Sequence, residues 1–104
     1  MEQLTDENFK TKINEGQKNL VLFSADWCGP CKIVKPIVEN IKEEMGEDFS
    51  FYLVDVNQSE ETTSNYKVKN IPTGLILIDG EEKGRFTGAK KEEDIKNLIN
   101  NFLN

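Results

Sequence analysis

Two near-continuous apolar runs, Asn19–Ser24 (NLVLFS) and Gly74–Asp79 (GLILID), fix most of what this chain can become. A strand with one wet face alternates apolar and polar residues. A run without that alternation belongs to a strand covered on both faces. Such strands need helices above and below them, and the segments around the two runs read as helices.

Phe9 and Ile13 stand one turn apart on a helix predicted over Asp6–Glu15, capped by Thr5 and stopped at Gly16. A long helix fits Cys31–Met45, where Val34, Ile37, Val38, Ile41 and Met45 recur at three- and four-residue steps and Gly46 closes the pattern. Pro30 suits its first turn, while Pro36 lies inside the pattern and predicts a kink. Phe51–Val56 reads as a strand, and Ser59 as the cap of a short helix through Tyr66. Asp79-Gly80 is a hairpin signal, with Glu82–Phe86 returning. Lys91–Leu103 closes the chain as a helix with Ile95, Leu98, Ile99 and Phe102 inward. With a short N-terminal strand, the order predicts an α/β fold. A central mixed sheet, mostly parallel with an antiparallel terminal hairpin, is flanked by helices on both faces.

The chain has 104 residues and is expected to form one domain, 1–104, with a core that needs no disulfide staple. Its formal charge of −6 argues against binding nucleic acid or an anionic membrane surface. It fits a protein that meets other proteins. Met1–Asp6 has neither a basic nor an apolar leader pattern, so the cytoplasm is the expected compartment. No apolar run is long enough to span a membrane.

The only two cysteines lie in Trp27-Cys28-Gly29-Pro30-Cys31-Lys32, where a buried strand runs into a helix. A bare C-x-x-C can hold a metal, form a structural disulfide or carry redox chemistry. A closed zinc site needs four ligands, and the chain offers no histidine and no third cysteine. No metal is therefore expected, nor a nucleotide or other cofactor. A structural disulfide closing so small a loop restrains the unfolded chain little. Redox chemistry fits best. Cys28 precedes the helix, where the macrodipole and unpaired N–H groups favour its thiolate. Cys31 follows one turn later, within disulfide reach. Gly29 and Pro30 shape the small ring, and Lys32 adds a nearby cation. Attack by Cys28 on a substrate disulfide, followed by attack of Cys31 on Cys28, would release a reduced substrate.

The hexapeptide after an apolar strand, Ile71-Pro72-Thr73 before the next, and Gly88 after the hairpin resemble the thioredoxin family over essentially the whole chain. The resemblance implies a thioredoxin fold and a protein-disulfide reductase serving electron transport and cell redox homeostasis. It assigns Cys28 as nucleophile and Cys31 as resolving thiol. It implies a cis Ile71-Pro72 bond facing the cysteines, with Pro72 shaping the site beside Gly29, Pro30 and Lys32. Trp27, Ile71, Gly88 and Ala89 would contact substrate. Disulfide-containing proteins are the implied substrates, and a separate thioredoxin reductase, an NADPH-fed flavoprotein, the implied donor. The implied unit is a monomer.

Two positions depart from the family pattern. Many thioredoxins carry a buried acid in the strand before the motif and a lysine in the following strand. Leu22 and Leu53 occupy those positions here. Asp26, directly before Trp27, is expected to be solvated and does not restore the acid. Ser24 stands where the family often has tryptophan. Two other functions fit the same residues. One is a disulfide oxidase or isomerase of an exported compartment; the other is a redox-independent protein-binding module built around Trp27 and Pro72.

Overall fold

The computed structural model describes residues 1–103. In chain order the elements are β1 (Glu2–Leu4), α1 (Phe9–Glu15), β2 (Lys18–Ser24), α2 (Gly29–Met45), β3 (Ser50–Asp55), α3 (Glu60–Asn65), β4 (Thr73–Ile78), β5 (Glu81–Thr87) and α4 (Glu92–Asn100). The five strands form one sheet in the order β1-β3-β2-β4-β5. The two apolar runs become its centre: β2 and β4 lie side by side, with Leu20 opposite Ile76 and Leu22 opposite Gly74.

Alternate residues of β2 feed two separate cores. Leu20 and Leu22 pack with Val34, Val38 and Ile41 of α2 and with Ile95 and Ile99 of α4. Val21 and Phe23 pack on the other face with Phe9 and Ile13 of α1 and with Val68. All four β2 residues are fully buried, which is why the run shows no polar alternation.

The sheet is mixed, as expected, but its antiparallel part exceeds the terminal hairpin. β1 and β2 run parallel to β3, whereas β4 is antiparallel to β2 and β5 antiparallel to β4. The connection after β3 explains this. The six residues of α3 span only about 9 Å at 1.5 Å per residue, and the chain does not travel back along β3: Asp55 ends β3 beside Ser24, and Thr73 begins β4 beside Phe23. The chain therefore re-enters the sheet at the end where β3 left it.

The expected helix start at Asp6 is corrected to Phe9. The N–H groups of Asn8 and Phe9 both donate to the Thr5 carbonyl, closing a turn at 3.3 and 3.0 Å. Thr5 is not the cap; its N–H donates to Asn8 Oδ1 at 2.8 Å. The Asp6 carboxylate is engaged elsewhere. It accepts the Thr62 N–H at 2.8 Å, the Thr62 hydroxyl at 2.7 Å and the Glu61 N–H at 3.3 Å, capping α3 from across the molecule. Ser59 stands at the expected cap position but turns its hydroxyl to the Leu4 carbonyl, 3.4 Å away. The kink expected at Pro36 does not divide α2, which is a single helix through that residue. Pro36 faces solvent, where water can satisfy the carbonyl its missing N–H leaves free. The regular part of α4 runs from Glu92 to Asn100, shorter than the expected Lys91–Leu103. No helix among the described residues is long and apolar enough to cross a membrane.

Candidate active site

The sheet places three loops side by side at one end. Ser24 pairs with Asp55, Phe23 with Thr73, and Thr73 with Thr87. Neighbouring strands lie about 4.8 Å apart. The loop after β2, the loop before β4 and the loop after β5 therefore leave the sheet as neighbours. The first carries the cysteines, the second Ile71-Pro72 and the third Gly88-Ala89.

Cys28 is the N-cap of α2. Its backbone is extended (φ −87°, ψ 112°), and its Sγ accepts the N–H of Cys31 at 3.2 Å. A sulfur thus takes the place usually held by a serine or aspartate oxygen, satisfying a donor that the first helical turn leaves unpaired. With that cap, α2 starts at Gly29 rather than at the expected Cys31, and Pro30 sits where no N–H is required. The two cysteines form a disulfide with their Cα atoms 5.3 Å apart. Both are buried, in a small cluster with Ala25 against which Val56 and Ile71 pack.

The second loop closes over the sulfurs. The Ile71–Pro72 bond is cis, as the resemblance implied. The Ile71 carbonyl oxygen lies 3.8 Å from Cys28 Sγ. Gly88 joins the third loop to the second, its N–H donating to the Pro72 carbonyl at 2.8 Å. Its φ of +88° suits glycine, and the space around a Cβ there is empty, so conformation rather than crowding selects the residue.

Contacts therefore bring Cys28, Cys31, Ile71, Pro72 and Gly88 together. Trp27, Gly29, Pro30 and Lys32 join them by covalent adjacency to the cysteines, and Ala89 by adjacency to Gly88. Trp27 is 68% exposed. Gly29, Pro30, Lys32 and Ala89 face solvent, Ile71 is half-buried and Pro72 buried. The sequence reading missed Ile33, which is 61% exposed in the first turns of α2. Its position off the Val34–Ile37–Val38–Ile41 stripe is the signal that could have found it.

A cleft of about 160 Å³ opens beside Cys31. Asp26, Asp55, Lys32 and Lys35 line it together with Leu53. Asp26 is exposed, as expected. Leu22 is fully buried and Leu53 nearly so, and both lie in the core beneath α2.

The thioredoxin family model matches residues 1–101. The thioredoxin of Bacillus subtilis is 39% identical over 99 residues, covering 95% of this chain and 94% of that protein. The thioredoxin of Listeria monocytogenes is 38% identical over 105 residues, covering 99% of each. The X-ray structure of Fasciola hepatica thioredoxin superposes with a TM-score of 0.89 at 38% identity, covering 97% of this chain and 98% of that one. Fold, cysteine geometry and these likenesses agree: the chain belongs to the thioredoxin family and is a thiol–disulfide oxidoreductase that reduces protein disulfides through its C-x-x-C pair.

Proposed function

We propose that Cys28 is the attacking thiolate and Cys31 the resolving thiol. The observation that carries this assignment is the hydrogen bond from the Cys31 amide to Cys28 Sγ at the mouth of α2. That donor and the positive end of the helix stabilise negative charge on one sulfur and not on the other.

The reduced pair works in two displacements. Cys28 S⁻ attacks one sulfur of a substrate disulfide; the S–S bond breaks and the departing substrate thiolate takes a proton. The mixed disulfide now holds Cys28 against the Cys31 thiol. Cys31 gives up its proton, attacks Cys28 Sγ and expels the second substrate sulfur, which leaves as a thiol once protonated. Two electrons have passed to substrate, and Cys28–Cys31 is a disulfide. During the first step an extended substrate segment pairs with the Ile71 backbone, in the manner of an added strand. Trp27, Gly29, Pro30, Pro72, Gly88 and Ala89 shape the surface it crosses.

The family implies substrates with disulfides and a separate reductase. We assign the donor as a flavoprotein fed by NADPH, and the chain as one domain acting as a cytoplasmic monomer. Insulin-disulfide reduction with dithiothreitol as donor tests the cysteine roles. Cys28→Ser should abolish turnover. Cys31→Ser should accumulate a mixed disulfide through Cys28, visible by mass spectrometry. Trapping through Cys31 in a Cys28→Ser variant would reverse the assignment.

A further inference from the structure

Beyond the two leucines that stand in place of a buried charge pair, the next residues on the same face of the sheet are polar. Leu22 lies opposite Leu53, and Ser24 opposite Asp55, on β2 and β3. Side chains two residues apart on a strand share a face. Leu22 and Leu53 belong to the core beneath α2, so Ser24 and Asp55 stand on that side of the sheet too. They lie about 7 Å further along, at the end where the cysteine loop begins. Both line the cleft beside Cys31. Towards the core, a proton leaving Cys31 meets no acceptor. The buried polar residues among the described ones are Asn19, Ser24, Ser59, Thr62 and Thr73, none of them a carboxylate or an amine. The cleft does offer one. Asp55 is half-buried and oriented, its Oδ1 accepting the Asn57 N–H at 2.8 Å. The Val56 N–H donates to the Ser24 carbonyl at 3.0 Å and holds the two strand ends together. Asp26 lines the same cleft but is exposed. Lys32 and Lys35 also line it, yet among the described residues neither carboxylate lies within 4.0 Å of a cation. At about 160 Å³ the cleft is polar and roomy enough for a short chain of waters.

We propose that Asp55 is the proton acceptor for Cys31, reached through cleft water beside the Ser24 hydroxyl. The inference rests on Cys31 being the resolving thiol and adds the group that activates it. In the mixed disulfide, the Cys31 S–H proton passes through water to the Asp55 carboxylate. The Cys31 sulfur, now an anion, attacks Cys28 Sγ. The Cys28–Cys31 bond forms, the bond from Cys28 to the substrate breaks, and its electron pair leaves on the substrate sulfur. Asp55 returns the proton through solvent to that sulfur, so the carboxylate ends as it began. A carboxylate is a weaker base than a thiolate but a stronger one than water, which suits a relay. Lys32 and Lys35 on the cleft wall offset the repulsion between the Asp26 and Asp55 charges and the new sulfur anion. Cys31 is buried, so bases in bulk solvent reach its thiol poorly, and the carboxylate in the cleft sets the pace of resolution.

The test separates the two displacements. The reduced full chain is mixed with a linear disulfide joining two short peptides, quenched in acid at timed intervals and weighed by mass spectrometry. The mixed disulfide through Cys28 then appears and decays as a distinct mass. Asp55→Asn keeps an Oδ1 for the Asn57 N–H, so the turn should survive. Formation of the mixed disulfide should stay at the parent rate, while its decay should slow about tenfold or more. Asp55→Glu should recover most of that loss, and Asp26→Asn should decay within about twofold of the parent. Acetate, at constant ionic strength, should restore decay in Asp55→Asn in proportion to its concentration and leave the parent unmoved. A merely structural role gives no such rescue. Decay of Asp55→Asn at the parent rate, slowing that acetate does not relieve, or equal slowing in Asp26→Asn would overturn the inference and leave the cysteine assignment standing. A parent chain that forms no mixed disulfide through Cys28 would remove both.

Discussion

Leu22 and Leu53 are paired neighbours on β2 and β3, and both point into the core beneath α2, where Leu53 also walls the cleft beside Cys31. No carboxylate sits under the resolving sulfur among the described residues. With no buried acid beneath it, the proton of Cys31 leaves to water, to a departing sulfur, or by way of the cleft that Asp26 and Asp55 line. The pH–rate profile of disulfide reduction should therefore show the cysteine ionisations without a further step from a buried acid. A Leu22→Asp variant buries an unpaired carboxyl and should lose about 3–5 kcal/mol in denaturant unfolding. Adding Leu53→Lys should recover part of that loss. A single variant as stable as the parent would show that the site is wetter than its burial implies.

Asp6 ties the start of the chain to α3. Hydrogen bonds from the Thr62 hydroxyl, and then from the Thr62 and Glu61 amides, hold its carboxyl below the ordinary 3.8, outweighing the opposing effect of burial. A carboxyl depressed by folding stabilises the native state above its unfolded value, and that stability is lost as pH falls through the lower folded value. Asp6→Asn should therefore lower Tm at neutral pH. The gap between variant and parent should close as the pH drops below 3.8. Thermal melts between about pH 2 and pH 7 check this, and a gap that widens in acid would contradict it.

That cap also marks where the amino-acid sequence stops being legible. The strands and the inner faces of the helices were readable because each follows from neighbours two, three or four residues away. Asp6 reaches Thr62 across 56 positions, and nothing local announces it. Ser59 looked like the cap because its type and place fit, yet burial sends its hydroxyl to Leu4 instead. The direction of β4 was hidden for a related reason, since it depends on how little distance α3 covers. At the site, the cysteines and the Ile71-Pro72 pair were found by motif. The helix start was misplaced by two residues because a cysteine sulfur is not among the usual capping atoms.

Gly74 owes its place to Phe86. The two are paired across β4 and β5, and a Cβ on Gly74 would overlap the Phe86 ring. Phe86 is itself buried in the core that α4 covers. Gly74→Ala must push the ring off its seat and should cost about 1–3 kcal/mol. Phe86→Leu alone should also destabilise, by leaving a void. In the double variant the smaller side chain accommodates the new methyl, so the losses should sum to more than the measured change. Strict additivity in this double-mutant cycle would mean that the ring does not occupy the space above Gly74.

Trp27 separates stability from recognition. At 68% exposure its ring contributes little buried area, so Trp27→Ala should shift unfolding by no more than about 0.5 kcal/mol. Its cost should appear in turnover of protein substrates. Removing an exposed aromatic anchor typically weakens a contact by about 1–2 kcal/mol, which corresponds to a rise in KM for insulin of roughly five- to thirty-fold. The rate with a small linear disulfide such as bis(2-hydroxyethyl) disulfide, which has no chain to lay across the ring, should stay near that of the parent. Steady-state kinetics on the two substrates make the distinction. Equal losses on both would place the tryptophan in service of the sulfur chemistry itself, and a large fall in stability would make it a packing residue.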